Sequence, residues 1–558
     1  MTDTGRAGAR ENRRGAPKRG TRARTGGPAA AGAALAIAAV ALLLGAVAAP
    51  AHALTNEALM DSLQHSAFRY FWEQANPNNG LIRDRSQSGS PCSIASVGFG
   101  LSAICIGIDH GWVSRETGRD RVRTTLNTFW TGPQGTGETG FIGYKGLFYH
   151  FLDMTTARRT WGCEVSTIDS ALLLAGMLDC KQYFNTEDPL DIEVRALADS
   201  IYRRADWNFF RNFNPGILMG WKPGTGFSGF GQWIGYNEAI ILYILALGSP
   251  TYPVPTTAWS AWTSGYDWMT MYGYSYVIFP PLFGHQYSHC WIDFRFIRDS
   301  YMQSQGMTYF ENSRRATLAQ RNYCIANPGG FVGYGADFWG LTACDGPSGY
   351  NARGAPPAQN DDGTIAPTAS AGSIPFAPQE ALSVLHNLWN NYRTQLWGPY
   401  GFRDALNPTH GWFATDYIGI DEGPIILMIE NYREGSVWDR FQWNEDVQRG
   451  LGRAGFQFQP QGAEEPWPGA GAPALLLSAA PNPFQGETSI RFRLTKEGAV
   501  RLTVADVTGR EVARLADGRF PAGEHVVTLD GSDLAAGVYF YSLRQGDQNI
   551  RRQCILIR

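Results

Sequence analysis

The sequence predicts a mainly α-helical domain over residues 54–455, followed by a small all-β domain over 475–558. Three observations carry that expectation. Apolar residues recur at helical spacing in about twelve segments between Thr55 and Gly450. No strand–helix alternation of the βαβ kind interrupts them, which disfavours a parallel sheet. After Gly455 the period switches from that of a helix to two. About twelve helices fit an α/α barrel, in which helical hairpins ring one core, although periodicity alone does not separate this from an irregular helical domain. Of 558 residues 44% are apolar and 17% charged, against about 25% charged on average. That balance supports a sizeable core and excludes a disordered chain or a coiled coil.

The elements follow in order. Residues 1–53 have a basic start, an apolar run from Ala29 to Ala49 and the exit Ala51-His52-Ala53, the pattern of a cleaved signal peptide. Helices are expected at Asn56–Gln74, Ser96–His110, Arg115–Trp130, Glu164–Phe184, Ile192–Trp207, Asn237–Leu247, His289–Gln305, Glu311–Ile325, Gln379–Tyr392, Pro424–Tyr432 and Asp439–Leu451, with a weaker one at Ala258–Met271. Cys344–Pro378 lacks a periodic face and carries Asp345-Gly346-Pro347, Pro356-Pro357 and Asp361-Asp362-Gly363. A loop this long inside a compact domain is expected to be an ordered lid. Residues 456–474 are rich in Gln, Pro, Gly and Ala, a linker composition. Beyond them Ile490, Phe492 and Leu494, then Val500, Leu502 and Val504, then Tyr539, Tyr541 and Leu543 alternate between turn signals, as in a small β-sandwich.

Charge and cysteine content exclude some functions. Removing the eight bases and two acids of residues 1–53 leaves 39 bases against 48 acids, a net of −9, which does not suit a phosphate backbone. Nucleic acid is therefore not the expected partner. The eight cysteines show no C-x-x-C spacing, so zinc is not expected; most read as buried small hydrophobes, with room for one or two bridges. Gly224, Gly226 and Gly229 spell G-x-G-x-x-G, but Trp221-Lys222-Pro223 stands where a strand is needed. His285 and His289 are four apart like the ligands of a zinc protease, yet Gln286 replaces the glutamate base and Phe279-Pro280-Pro281 argues for a loop.

Carboxylates beside aromatic residues recur. Glu238 precedes the apolar run Ile240–Leu247, Asp421 and Glu422 open another helix, and Glu164 and Asp169 open a third. Glycoside hydrolysis needs one protonated and one ionised carboxyl, the first held up by burial and neighbouring rings, the second held down by solvation and donors. Acids in a first turn are equally explained by the helix dipole.

Further motifs turn this into a resemblance. They are Tyr236-Asn237-Glu238-Ala239, His285-Gln286-Tyr287-Ser288-His289, Trp291-Ile292-Asp293, Tyr309-Phe310-Glu311-Asn312-Ser313-Arg314, Ala343-Cys344-Asp345-Gly346-Pro347, Asp362-Gly363-Thr364-Ile365-Ala366-Pro367 and Ile420-Asp421-Glu422-Gly423-Pro424. In this order they resemble the glucoamylase-like domain of bacterial endo-β-1,2-glucanases, glycoside hydrolase family 144. The resemblance implies an (α/α)6 barrel, no metal and no cofactor, and inverting endo-attack on a β-1,2-glucan by a monomer. Glu238 falls at the place of the general acid and Asp421 at that of the residue activating water. Glu164, Asp169, Tyr236, His285, His289, Trp291, Arg314, Asp345, Arg353 and Asp362 are the expected sugar contacts, although Glu311 with Arg315 also reads as an ordinary i,i+4 pair. Glu422 departs from the Asp-Gln expected there. Pro481-Asn482-Pro483-Phe484, Asp506-Val507-Thr508-Gly509-Arg510 and Leu534-Ala535-Ala536-Gly537-Val538-Tyr539 resemble type IX sorting and flagellar-hook-capping-like domains, immunoglobulin-like sandwiches. That resemblance implies export to the periplasm, cell surface or medium, with the export machinery as partner.

Two other readings fit the same residues. A polysaccharide lyase on the same barrel would use Tyr287, His285 and Arg314, and a glycan-binding surface protein would use the rings without the acids.

Overall fold

The computed structural model describes residues 54–358, 360–458, 475–480, 484–494, 497–506, 510–545 and 548–556. The signal-peptide reading of 1–53 and all but the first residues of the 456–474 linker lie outside them, as do Pro481–Pro483 and Val507–Gly509 of the sorting motifs.

Fifteen helices run through the described part of the first domain: α1 (Asn56–Glu73), α2 (Ile94–Asp109), α3 (Arg115–Thr131), α4 (Thr167–Tyr183), α5 (Pro189–Arg203), α6 (Trp207–Arg211), α7 (Ile240–Gly248), α8 (Thr257–Thr263), α9 (Ser300–Ser304), α10 (Tyr309–Ala326), α11 (Pro367–Ala371), α12 (Pro378–Leu396), α13 (Gly419–Arg433), α14 (Ser436–Phe441) and α15 (Glu445–Arg453). Their starts are written locally. The hydroxyls of Thr55, Ser93, Ser114, Ser166 and Thr308 accept from backbone N–H groups in the first turns of α1, α2, α3, α4 and α10. Two kinds of helix result. In α2, α4 and α7 nearly every residue is buried, and in α13 everything from Asp421 to Asn431 is. Such helices are apolar all round and belong inside. By contrast α1, α5 and α12 bury one stripe, and they pack outside: α1 on α2 and α13, α5 on α3 and α4, α12 on α11.

The closest inner pair is α2 against α4. Gly98 and Gly176 face each other there, and a β-carbon at Gly176 would fall 2.0 Å from the Gly98 carbonyl oxygen. The same interface brings the Cys105 and Cys180 sulfurs to 3.7 Å, as free thiols. All eight cysteines are buried and unbridged, as their apolar neighbours predict, and the bridges allowed for above are not formed.

Three expected helices take other forms. In place of a helix over His289–Gln305 the chain ends a 3-10 turn at Tyr287–Cys290, preceded by another at Leu282–His285, and continues into a strand at Ile297–Arg298 and then α9. Asp293 closes a local fork with the Arg295 guanidinium, and Asp299 caps α9 through Met302 N, so the segment spends its polar groups on turns. Ala258–Met271 stops at Thr263 and becomes the hairpin Trp268–Met271 with Tyr274–Val277. Asp439–Leu451 is cut in two where Asn444 caps α15. Within Cys344–Pro378 the chain is more regular than a bare loop: Ala343–Cys344 pairs with Asn351–Ala352, and α11 follows.

Residues 475–556 form seven antiparallel strands among those described. One sheet holds Leu475–Ala480, Glu487–Leu494 and Gly523–Asp530; the other runs in the order Glu511–Phe520, Gly498–Ala505, Gly537–Gln545, Gln548–Leu556. The period-two residues Ile490, Phe492, Leu494, Val500, Leu502, Val504, Tyr541 and Leu543 form one shared core. Among the described residues no helix is long and apolar enough to cross a membrane.

What positions a site is that the inner helices begin at one end of the domain. Gly419 N donates to Asp84 O (2.8 Å), Ser86 N to Tyr417 O (3.0 Å), Ile94 N to His150 O (3.2 Å) and His150 N to Glu164 O (2.9 Å). Thr368 Oγ1 donates to Asp421 O and Ser288 Oγ to Glu238 O, both at 2.7 Å.

Candidate active site

Glu238 lies one residue before the cap of α7. Its turn is closed by Asn237, whose Oδ1 accepts from Ala239 N (2.9 Å) and whose Nδ2 donates to Gly235 O (3.1 Å). Ser288 then joins Glu238 O to Ile241 N, locking the helix start onto the 3-10 turn below. Burial pushes the Glu238 carboxyl up to about 7, and the charge of Asp169 adds to the rise. Near neutrality it therefore holds a proton much of the time and can donate one.

A second group of acids stands at the start of α13. Asp421 is buried within interaction range of Asp404, whose Oδ2 accepts from Asp345 N at 2.6 Å. Burial, then mutual repulsion, raises Asp421 well above the carboxylate range. For Asp404 burial and the charge of Asp345 give a value of about 7. Mutual repulsion keeps the two carboxyls from ionising together, so they titrate as a pair. Asp421 Oδ2 and Asp404 Oδ1 have no hydrogen-bond partner. Asp345 is paired with Arg85 Nη1 (2.6 Å), and the guanidinium lies 5.6 Å from the Tyr350 ring centre. Tyr287 lies within electrostatic reach of both Glu238 and Asp421.

The third wall is His150 between two acids, Nδ1 at 2.9 Å from Glu164 Oε1 and Nε2 at 3.6 Å from Asp169 Oδ1. Burial would lower the imidazole, but Asp169 and Glu164 outweigh it and push it up to about 9. Burial would raise Glu164, but the His150 hydrogen bond and charge hold it below its usual value. Asp84, raised to about 6 by burial, feels Arg85, His150, Asp169 and Asp416, and so connects this wall to the second.

Of the residues singled out from sequence, Glu238, Asp421, Glu164, Asp169 and Asp345 come together. The others lie elsewhere. His285 and His289 are completely enclosed: His285 Nε2 is 3.1 Å from Phe279 O, and His289 Nε2 is 3.0 Å from Ser313 Oγ. Burial holds His285 down to about 3 and His289 well below its usual value, so both are neutral core residues. Trp291 is buried too, stacked 4.8 Å from Phe99 with Nε1 on Ser102 Oγ. Tyr236 packs among His285, Tyr309 and Trp262. His285, His289 and Trp291, at 0–1% exposure, offer a sugar no surface. Arg314 pairs with Glu311 one turn away on α10, the ordinary helix-face arrangement. Arg353 and Asp362 bind each other (2.8 and 3.0 Å), and Arg353 also donates to Cys344 O (2.7 Å), bracing the 343–352 hairpin from behind. The lyase roles of His285 and Arg314 fall with these placements.

Asp404, Asp84, Arg85, His150 and Tyr350 were not anticipated. None opens a helix, and the only sequence signal was the bare Asp84-Arg85 pair. One further acid cluster, Asp199, Glu445 and Asp446, has the spacing of a metal site. Lys181 lies 2.7 Å from Asp199 and 3.8 Å from the other two, at the far end of α4 from Asp169, and supplies the cation itself.

Comparison with known proteins follows this geometry. A family model described as "Putative glucoamylase" matches residues 231–445, and one for a secretion system C-terminal sorting domain matches 478–557. An exo β-1,2-glucooligosaccharide sophorohydrolase (non-reducing end) of Parabacteroides distasonis is 32% identical over 438 residues, 73% of this chain. The match spans 59% of that relative's length. A crystal structure of a "putative glucoamylase" from Bacteroides uniformis is 36% identical with a TM-score of 0.68, covering 73% of this chain and 98% of that one. The endo-β-1,2-glucanase of Chitinophaga pinensis, in complex with sophorotriose and glucose, is 30% identical with a TM-score of 0.67, covering 73% and 99%.

Proposed function

The chain belongs to the glucoamylase-like family that includes these relatives, and from that premise we propose that it is an exported endo-hydrolase of β-1,2-glucan. The observation that carries the reading is two sets of acids at helix starts, Glu238 before α7 and Asp421 with Asp404 at α13, both within electrostatic reach of Tyr287. Glu238 donates its proton to the leaving glycosidic oxygen. The single negative charge of the Asp404–Asp421 pair, acting through Asp421, draws a proton from water, directly or through a sugar hydroxyl. The water approaches from the side opposite the leaving oxygen, as inversion requires. The ion-paired Arg85–Asp345 and the His150–Glu164–Asp169 group are the sugar-binding walls.

The same reading closes α2, α4, α7, the two 3-10 turns, α11 and α13 into the inner ring of an (α/α)6 barrel. It takes the 475–558 domain as an immunoglobulin-like sorting module that directs a monomer to the cell surface. Residues 1–53 are its signal peptide, and neither metal nor cofactor is required.

Replacing Glu238 by Gln tests it. The E238Q chain is expected to lose about 10²–10⁴ of kcat on linear β-1,2-glucan while folding normally. The wild-type rate should fall as pH rises past about 7, where Glu238 loses its proton, and at the acid end, where the Asp404–Asp421 pair becomes fully protonated. Wild-type turnover retained in E238Q rejects the assignment. Release of sophorose alone, rather than a ladder of oligosaccharides, would make the action exo, as in the Parabacteroides relative.

A further inference from the structure

Beyond the three acid walls several rings stand in solvent, Phe213 and Trp161 the most exposed, and Trp161 is the one whose ring contacts lead back to a wall. Trp161 is 67% exposed. It occupies the turn Thr160–Cys163, closed by Cys163 N on Thr160 O (3.2 Å), and both central residues are left-handed, Trp161 at φ 55° and Gly162 at φ 59°. Two left-handed central residues mark a type I′ turn, whose first central position belongs to Asn, Asp or Gly. A tryptophan there carries both backbone strain and exposed apolar surface.

The ring is also aligned with the site. Its centre lies 5.1 Å from that of Phe151, which stacks at 4.0 Å and 12° on His150, the imidazole held by Glu164 and Asp169. Three rings therefore lead from the acid wall to the surface, and Trp161 is only three residues from Glu164. Met219 and Ile234, from the segments beside Thr167 and Glu238, are exposed as well.

Building on the hydrolase reading above, we propose that Trp161 is a stacking platform for a glucosyl unit of the polymer, an outer subsite beyond the His150 wall. The apolar C–H face of a glucopyranose covers the indole, and the bound chain runs from this platform toward Glu238.

Binding by the full-length chain in the E238Q background, where substrate survives, tests this by calorimetry. The probes are linear β-1,2-glucan and sophorotriose. Adding W161N is expected to weaken polymer binding about tenfold, the loss of roughly one ring stack. Sophorotriose, which fills the subsites nearest Glu238, should lose less. Because Asn suits the turn, the melting temperature should hold or rise, and W161Y should restore most of the affinity. Unchanged polymer affinity in W161N overturns the platform alone. So does affinity lost together with melting temperature and not restored by W161Y, which would make the ring structural. Failure of the E238Q chain to bind any β-1,2-glucan removes the hydrolase reading and the platform together.

Discussion

Glu422 is an acid that its surroundings disfavour. It lies in the first turn of α13, where the helix dipole suits a carboxylate, but it is 3% exposed, has no ion pair, and leaves Oε2 without a partner. Burial, then the charge of Asp404, raises it well above the usual range, so burial outweighs the dipole. The linkage has a definite sign. A carboxyl whose folded pKa exceeds its unfolded value contributes fully below the unfolded value, near 4.3, and that contribution is lost as pH rises toward the folded value. Glu422→Gln should therefore stabilise the chain increasingly with pH, by up to about 1.4 kcal/mol per pH unit in that window. Melting temperatures of both proteins at about pH 5 and pH 8 decide it: a difference that does not widen with pH would show that Glu422 is not carrying this cost. At this scale the sequence was legible where an acid opens a helix, as at Glu238, Asp421, Glu164 and Asp169. Asp404 and His150 sit on short irregular segments and acquire their roles only from partners brought close by the fold, so no local pattern marked them.

The helices obey a simpler rule, which a pair of glycines makes measurable. Gly176 in α4 lies against the backbone of α2, where a methyl group would meet the Gly98 carbonyl oxygen at 2.0 Å, a clash with backbone that no side-chain rotation relieves. Gly452 lies in α15, is exposed, has nothing within 4 Å of its β-position and has no positive φ. The same substitution should act in opposite directions. Gly176→Ala is expected to cost about 1–3 kcal/mol by forcing α2 and α4 apart, and Gly452→Ala to gain about 0.5–1 kcal/mol from helix propensity. Urea titrations of the two variants read both signs, and equal effects would refute the close packing of α2 on α4. Amphipathic and fully apolar helices were legible because their period is local. The region His285–Ser304 was not: its apolar residues pack into the core from 3-10 turns and a strand, and Asp293 and Asp299 bond to neighbouring residues in place of extending a helix. The spacing of apolar residues carries no record of such a choice.

At the scale of the molecule the two folded parts divide the work. Among the described residues, every side chain assigned to the three acid walls comes from residues 84–421, and the last paired strand of the helical part is Gln457–Phe458, on Ile297–Arg298. Among the described residues Arg552 of the β-domain bonds Asp439 Oδ2 (3.0 Å) and Glu434 O (2.7 Å) of the helical part. Those acceptors lie on α14 and at the C-terminal end of α13, the end opposite Asp421. Partly exposed pairs of this kind contribute about 0–1 kcal/mol. The switch to period two made this domain legible in sequence, but the Arg552 contact left no such trace. A chain cut to residues 54–458 should therefore keep kcat/KM on linear β-1,2-glucan within about twofold, the size of a contact worth a few tenths of a kcal/mol. It should melt within a few degrees of the full-length protein. In cells the same cut should abolish surface delivery, read by fractionation and by glucan cleavage with intact cells, if residues 475–558 serve sorting alone. A truncated chain that folds but loses turnover would instead place the sandwich within the working enzyme, and the Arg552–Asp439 contact would be the first to break by mutation.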